Sequence, residues 1–280
     1  KNYLFVDSRY TIQAKLESGE NFKIIKIHEK LPKNKFKNIK LGFDPNLFTY
    51  NQLNFFFGKK IKLVSIKKNL VDQIFKNKKV LGKPFYSLPK NAAGESHIKK
   101  INTISKYLKD KKADFLYISS PENVAWLLNI RGSDTPFSPL PNCSVILSKN
   151  RKLYIITKKY KIKNLLQRKK LFLKQFIDEN YFKKLVNSLN GKKFIVDGKT
   201  LSVYNENIIK SKFIITNRID PCYLFKSRKN LIELKNTIQS HIADGVALTK
   251  FIFWIKSLKN KRITELQAVK KLENFRKKNK

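Results

Sequence analysis

One succession of segments occurs twice in this chain, about 150 residues apart, and that repeat constrains the fold more than any single motif. LFVDSRY, ending at Tyr10, is matched by YIITKKY, ending at Tyr160. LGFD, ending at Asp44, is matched by FIVD, ending at Asp197, and the apolar run at 63–66 is matched by that at 213–216. An order kept at a constant offset implies two copies of one α/β unit. Residues 97–150 have no counterpart in the first half, so a duplicated chain is expected to lack about fifty residues before Lys1.

Hydrophobic periodicity fills in the elements. Strands are expected at 3–6, 23–27, 40–43 and 62–66, with helices from about Tyr10, at 46–56 and at 70–75. Residues 29–38 read as a charged loop around Pro32. Residues 76–95 carry two prolines, two glycines and no periodicity, the marks of a linker. A helix over 96–110 places Ile98, Ile101, Ile104, Ser105 and Leu108 on one side. FLYIS at 115–119 reads as a buried strand, and Pro121 with Glu122 opens a helix burying Val124, Ala125, Leu127 and Leu128 beside Trp126. Arg131, Gly132, Ser133 and Asp134 then form a polar loop of the kind that carries binding residues, or a plain Arg131–Asp134 salt bridge. Further strands fall at 145–147, 153–157, 193–196 and 213–216, and helices at 164–171, 180–189 and 204–209. Beyond Phe225, Leu231, Leu234, Ile238, Ile242, Val246 and Phe251 make one stripe of a long helix with a buried face. Thr264 and Gln267 form a capping-box pair for a second helix, with Leu266, Val269, Leu272 and Phe275 facing in.

The net charge of +41 invites a polyanion-binding reading. Against it, only eight of the 61 basic residues are Arg, and the lysines are spread along the chain rather than gathered in one arm. No apolar run approaches the eighteen or so residues that span a bilayer. Cys143 and Cys222 are isolated and expected reduced and buried, as in a cytoplasmic protein. His28, His97 and His241 form no metal motif. The chain starts at Lys1 and contains no Met, which suggests a fragment whose missing end could have held a targeting signal.

Six blocks carry a resemblance: VDSRYTIQA at 6–14, GFDPNLFTYNQL at 42–53, ISSPENVAWLLNIRGSDTPFSPLPNCSVIL at 118–147, LIELKN at 231–236, HIADGVALTKFIFWI at 241–255 and ITELQAVKKLENFR at 263–276. With them the chain resembles the aminopeptidase P family, the Xaa-Pro aminopeptidases of the creatinase and prolidase group, over essentially all 280 residues. The resemblance implies an α/β chain of two tandem creatinase-type N-terminal domains of ribonuclease-H-like shape, at 1–95 (with linker) and 96–226. Residues 227–280 would be the first helices of a truncated pita-bread catalytic domain. It also implies release of the first residue from peptides with proline second, by two divalent metal ions, usually manganese, that activate a bridging water. The family's Asp, His and Glu ligands lie beyond the first two helices of the catalytic domain. No residue here is therefore assigned a catalytic or metal-binding role, and residues 1–280 alone are expected not to hydrolyse peptides. A cytoplasmic homodimer is implied, with no nucleic-acid or membrane partner.

One substrate-binding residue carries over: Arg9, in the turn Asp7, Ser8, Arg9, Tyr10, matches the Arg of the family's D-G-R-Y turn, with Ser8 in place of Gly. A guanidinium suits a peptide carboxylate or carbonyl. A plain surface Arg is the alternative, and Lys159 holds the equivalent place in the second copy. His241 and Asp244 share a helical face and read as a capped or ion-paired surface site before a ligand pair. Trp126 and Trp254 read as core or interface, and Asp44 and Asp197 as turn or cap residues. The competing functions are a non-catalytic binding module of the same fold and a polyanion binder, with prolidase and creatinase as nearer alternatives.

Overall fold

A computed structural model describes residues 2–27, 39–58, 61–75, 82–167, 173–259 and 262–279. In chain order the elements are β1 (Asn2–Val6), α1 (Thr11–Ser18), β2 (Phe22–Lys26), β3 (Lys40–Phe43), α2 (Tyr50–Phe57), β4 (Lys62–Ser65) and α3 (Leu70–Ile74). Next come β5 (Tyr86–Ser87), α4 (Lys90–Ala93), α5 (His97–Asp110), β6 (Phe115–Ile118), α6 (Pro121–Leu128), β7 (Ile130–Arg131), β8 (Ser144–Ser148) and β9 (Leu153–Ile156). The remainder are α7 (Lys163–Gln167), β10 (Phe176–Ile177), α8 (Phe182–Ser188), β11 (Lys193–Val196), α9 (Val203–Lys210), β12 (Ile214–Asn217), α10 (Cys222–Ser227), α11 (Leu231–Ser257) and α12 (Glu265–Lys278). The charged loop expected at 29–38 lies outside the described residues, as does the end of the helix expected at 164–171.

Packing divides the chain into two compact units, Lys1–Leu81 with Val186–Ile219, and Gly82–Leu185 with Asp220–Lys280. In the first unit β1 pairs parallel with β2, β3 with β4, and β11 with β12. Its core joins Phe43, Leu53 and Val203, with Phe48, Tyr50, Phe57 and Leu63 packed around them. Backbone N–H groups of Val203 and Tyr204 donate to the carbonyls of Phe48 (2.8 Å) and Pro45 (2.9 Å), so α9 is bonded to the turn after β3. The helix expected from residue 46 begins only at Tyr50. Asp44 Oδ1 accepts the Asn46 backbone N–H (2.9 Å) and holds a turn, and Thr49 with Gln52 supplies a capping box.

The second unit is built on the strand run β10-β9-β8-β6, parallel at β10–β9 and antiparallel at the other two pairs. All four residues of β6 are buried, because its hydrophobic run is covered on both faces. Helix α5 is capped by the Ser96 hydroxyl, which accepts from the Lys99 N–H (3.2 Å), and buries Ile101, Ile104, Ser105 and Leu108 as the spacing predicts. Ile98 stays exposed, and Lys100 is buried in its stead. Residues 82–95 are not the structureless linker their composition suggests. Phe85 is fully buried, Tyr86 and Ser87 pair with Arg131 and Ile130, and α4 packs on α11. Gly94 ends α4 at φ +70, where the Asn230 side chain fills the place of a Cβ. The Asn230 amide donates to Ala93 O (3.0 Å) while its oxygen caps α11.

The buried stripe expected on α11 is not found. Leu231, Leu234, Ile238, Ile242 and Val246 are all exposed, and Ala247 alone is buried. Leu266 and Val269 of α12 are exposed too, although the Thr264–Gln267 capping box forms as expected. Only α4 and α12 pack substantially on α11 among the described residues, too little to cover its apolar surface. No helix among them is long and apolar enough to cross a membrane.

Phe85→Ala should lower the unfolding free energy of the second unit by about 3–5 kcal/mol, read as a shift in urea midpoint. A phenylalanine in a bare linker would cost below about 0.5 kcal/mol.

Candidate functional site

Arg9 lies in the first unit, in a 3-10 turn at Ser8–Tyr10 directly after β1. Asp7 organises this turn. Its Oδ1 accepts the Arg9 backbone N–H (3.0 Å) and Nε (2.9 Å), and its Oδ2 accepts Nη2 (3.3 Å). The Arg9 side chain is 78% exposed, and the hydrogen bond to Asp7 raises its pKa further. Ser8 has no positive φ, so a serine in place of the family's glycine carries no backbone strain. Lys159 likewise opens a 3-10 turn, Lys159–Ile162, after β9. Asp44 and Asp197 both serve turns, Asp197 Oδ1 accepting the Lys199 N–H at 3.0 Å.

The expected Arg131–Asp134 salt bridge does not form. Arg131 Nη1 turns back to the carbonyls of Ala125 (3.1 Å) and Ile130 (2.9 Å). Asp134 instead pairs with Lys161, both side chains 8% exposed, and its other oxygen accepts the Asn142 N–H (2.8 Å). Gly82 lies against this pair so closely that a Cβ would collide with both charged ends. The residues that looked like a binding loop are thus largely consumed in bracing it.

Arg131 belongs to a different feature that sequence spacing did not reveal. A cavity of about 490 Å³ in the second unit is walled by α4, α5, the end of α6, β7 and the first turns of α11. Lys100 enters from α5. Its Nζ donates to Asn129 Oδ1 (2.7 Å) and Trp126 O (3.1 Å) and lies 4.7 Å from the Trp126 ring centroid. Desolvation pulls the pKa of Lys100 and of Arg131 down. Trp126 is therefore half-buried in this wall and not central core. His241 and Asp244 reach the rim from α11. Asp244 is ion-paired as expected, to Arg276 Nε at 2.6 Å, and that bond lowers its pKa. Trp254 packs against Phe251 with the rings tilted and their centroids 5.8 Å apart, and Lys271 lies over its ring.

Cys143 and Cys222 are free and buried, and burial pushes both thiols up, away from the reactive thiolate. Among the described residues no three His, Cys, Asp or Glu side chains cluster to hold a metal ion, so these residues do not fit the dinuclear centre that the family resemblance implies.

The creatinase/prolidase N-terminal domain family matches residues 76–233, and the chain belongs to that family. Within it, the chain is 29% identical over 309 residues to Xaa-Pro aminopeptidase 1 of Dictyostelium discoideum, covering 98% of this chain and 48% of that protein. It is 28% identical over 299 residues to Xaa-Pro aminopeptidase ApepP of Drosophila melanogaster, covering 98% and 48%. The crystal structure of X-prolyl aminopeptidase from Caenorhabditis elegans, a cytosolic enzyme with a di-nuclear active site, aligns with a TM-score of 0.82 at 24% identity, covering 98% of this chain and 48% of that one. At that identity the likeness is one of mixed α/β fold. The chain spans about half the length of the curated relatives it matches.

Asp134→Asn leaves the Lys161 ammonium buried without its counter-charge and should cost roughly 3–5 kcal/mol. Combining Asp134→Leu with Lys161→Met should recover most of that loss, measured by urea unfolding of single and double variants.

Proposed function

We propose that this chain is the N-terminal portion of a metal-dependent aminopeptidase that releases the first residue of peptides with proline second. The observation that carries the proposal is whole-chain likeness, 98% of this chain, to 48% of an Xaa-Pro aminopeptidase. The two divalent ions, manganese by family resemblance, would be held by residues outside 1–280. The protein would work in the cytoplasm as a homodimer.

In this reading residues 1–95 and 96–226 are tandem creatinase-type domains and 227–280 opens the catalytic domain. The pairings of the strands support the tandem part. β1 and β2 run parallel, as do β9 and β10 at the equivalent place in the second copy, and β3–β4 corresponds to β11–β12 in the same way. These segments follow sequence order. In packing, residues 186–219 sit with the first unit. Exposed Ile, Leu and Val residues along α11 support the catalytic-domain part, since a helix with this much apolar surface belongs inside a larger core. Arg9 would contact the substrate peptide, its guanidinium exposed and held by Asp7 in one orientation.

Release of the first residue from a Xaa-Pro peptide is the test, with manganese present and then with chelator. Residues 1–280 alone should give none, and a polypeptide continued to the relatives' length should give chelator-sensitive release. Activity of residues 1–280 alone would overturn the placement of the metal site. An inactive longer polypeptide would overturn the aminopeptidase reading. In the longer polypeptide Arg9→Ala should lower kcat/KM by about 10- to 100-fold at unchanged thermal midpoint, the loss of one charge-assisted hydrogen bond. Lys159→Ala should leave kcat/KM unchanged.

A further inference from the structure

The cavity beside α11 has a charge imbalance that nothing in the proposed function uses. Lys100 is 2% exposed, yet among the described residues its ammonium is met by a carbonyl, a side-chain amide oxygen and an aromatic face. Arg131 Nη1 donates to two carbonyls among the described residues. Neither forms an ion pair among the described residues. Desolvation is the largest influence on each; Glu233 favours the charged form of both, Glu95 favours that of Lys100, and Arg131 opposes that of Lys100. The two carboxylates in the wall are engaged elsewhere. Glu233 Oε2 accepts the Asn230 N–H (3.0 Å) in the α11 capping box, and Asp244 is held by Arg276.

Buried charges are ordinarily paired, because desolvation without a partner is costly. Two cations in one cavity wall, hydrogen-bonded to neutral acceptors among the described residues and favoured by Glu233 only through space, are therefore suited to an anion entering from outside. The volume, about 490 Å³, is that of a small-molecule site and not of a duplex or a helix groove. A guanidinium edge and an ammonium together match a planar carboxylate, and Asn236, Thr237 and Ser240 on the α11 wall supply further polar groups. We propose that this cavity is a carboxylate-binding site, with Lys100 and Arg131 as the charged contacts. The carboxylate could be carried by a free small acid or by an acidic side chain of a peptide, and the chemistry of recognition is the same.

The chain has two tryptophans, one in the cavity wall and one outside it, which makes the test direct. The two indole N–H signals are followed by NMR in 15N-labelled protein at constant ionic strength. Sodium succinate and a capped Gly-Glu-Gly peptide are titrated in separate arms. Succinamide and a capped Gly-Gln-Gly peptide serve as neutral controls. The Trp126 signal should move saturably with one or both acids while the Trp254 signal stays still. The arm that saturates names the source. Arg131→Gln should weaken the binding about tenfold or more, as loss of a charge-assisted contact. Lys100→Met should do the same where it folds, and Arg131→Gln suffices where it does not. No saturable shift with either acid, an equal shift with the neutral controls, or undiminished binding by Arg131→Gln would overturn the proposal.

Discussion

The second unit depends on β6. Its residues, Phe115, Leu116, Tyr117 and Ile118, are buried on both faces, so the strand has no solvent side from which a register slip could begin. Its antiparallel partner β8 is equally buried over Val145, Ile146 and Leu147. From this rigid base α6 starts at Pro121, and everything that lines the cavity on that side follows from where α6 ends. A buried polar chain fixes the other side of α6. Asn123 donates to Asp220 Oδ2 (2.7 Å) and accepts from Lys226 (2.9 Å), while Asp220 Oδ1 accepts the Cys222 N–H (2.9 Å) at the start of α10. Every member has its partner, so the network sets the position of α10 against α6 instead of weakening the core.

With a net charge of +41, self-repulsion among lysines is the general burden on this fold, and most of the described ones answer it by staying in water. Lys100 and Lys161 do not. Lys161 meets Asp134 and has aromatic rings of Phe85 and Tyr160 within 5.6 Å and 5.4 Å of its ammonium. Lys100 has the ring and the neutral acceptors without a carboxylate. The same residue type, buried to a similar degree in the same unit, is neutralised in one place and left for an outside anion in the other.

Element positions were largely legible in the sequence, because the strand Lys40–Phe43 and the helix His97–Asp110 have amphipathic periodicity and Lys193–Val196 is a short apolar run of strand length. Three things were not. Composition concealed the order in residues 82–95, since Pro and Gly read as breakers until Phe85 finds its pocket and Gly94 its contact with Asn230. Helical spacing pointed to Ile98 as an inward residue, but the first turn of α5 lies at the surface and the inward place falls to Lys100, whose stem is apolar. Pairing across a loop is also invisible to spacing. Arg131 and Asp134 are three residues apart, yet β7 sends the first back along α6 and the loop sends the second to Lys161. Arg9 is the reverse case: its turn was legible because Asp7 is a local cap that needs no distant partner.

Asn129 shows why the cavity and the fold cannot be separated. The residue ends α6 in the left-handed region, φ 53, a conformation that glycine would adopt more easily. Glycine would close the helix equally well through its backbone N–H, but it would bring no side chain. Asn129 Oδ1 is the 2.7 Å acceptor of the Lys100 ammonium, and its Nδ2 donates to Glu95 O (2.7 Å) just before α5 begins. Its own carbonyl takes the Leu88 N–H (2.8 Å) beside β5. One residue thus ends a helix through its backbone, and its side chain ties that end to the start of the next wall and holds a buried cation in place. The strain of a left-handed asparagine is offset by three hydrogen bonds, of which only the one to Lys100 faces the cavity. The helix end could have been made without that bond, and its presence means that α6 terminates in a way that positions a charge.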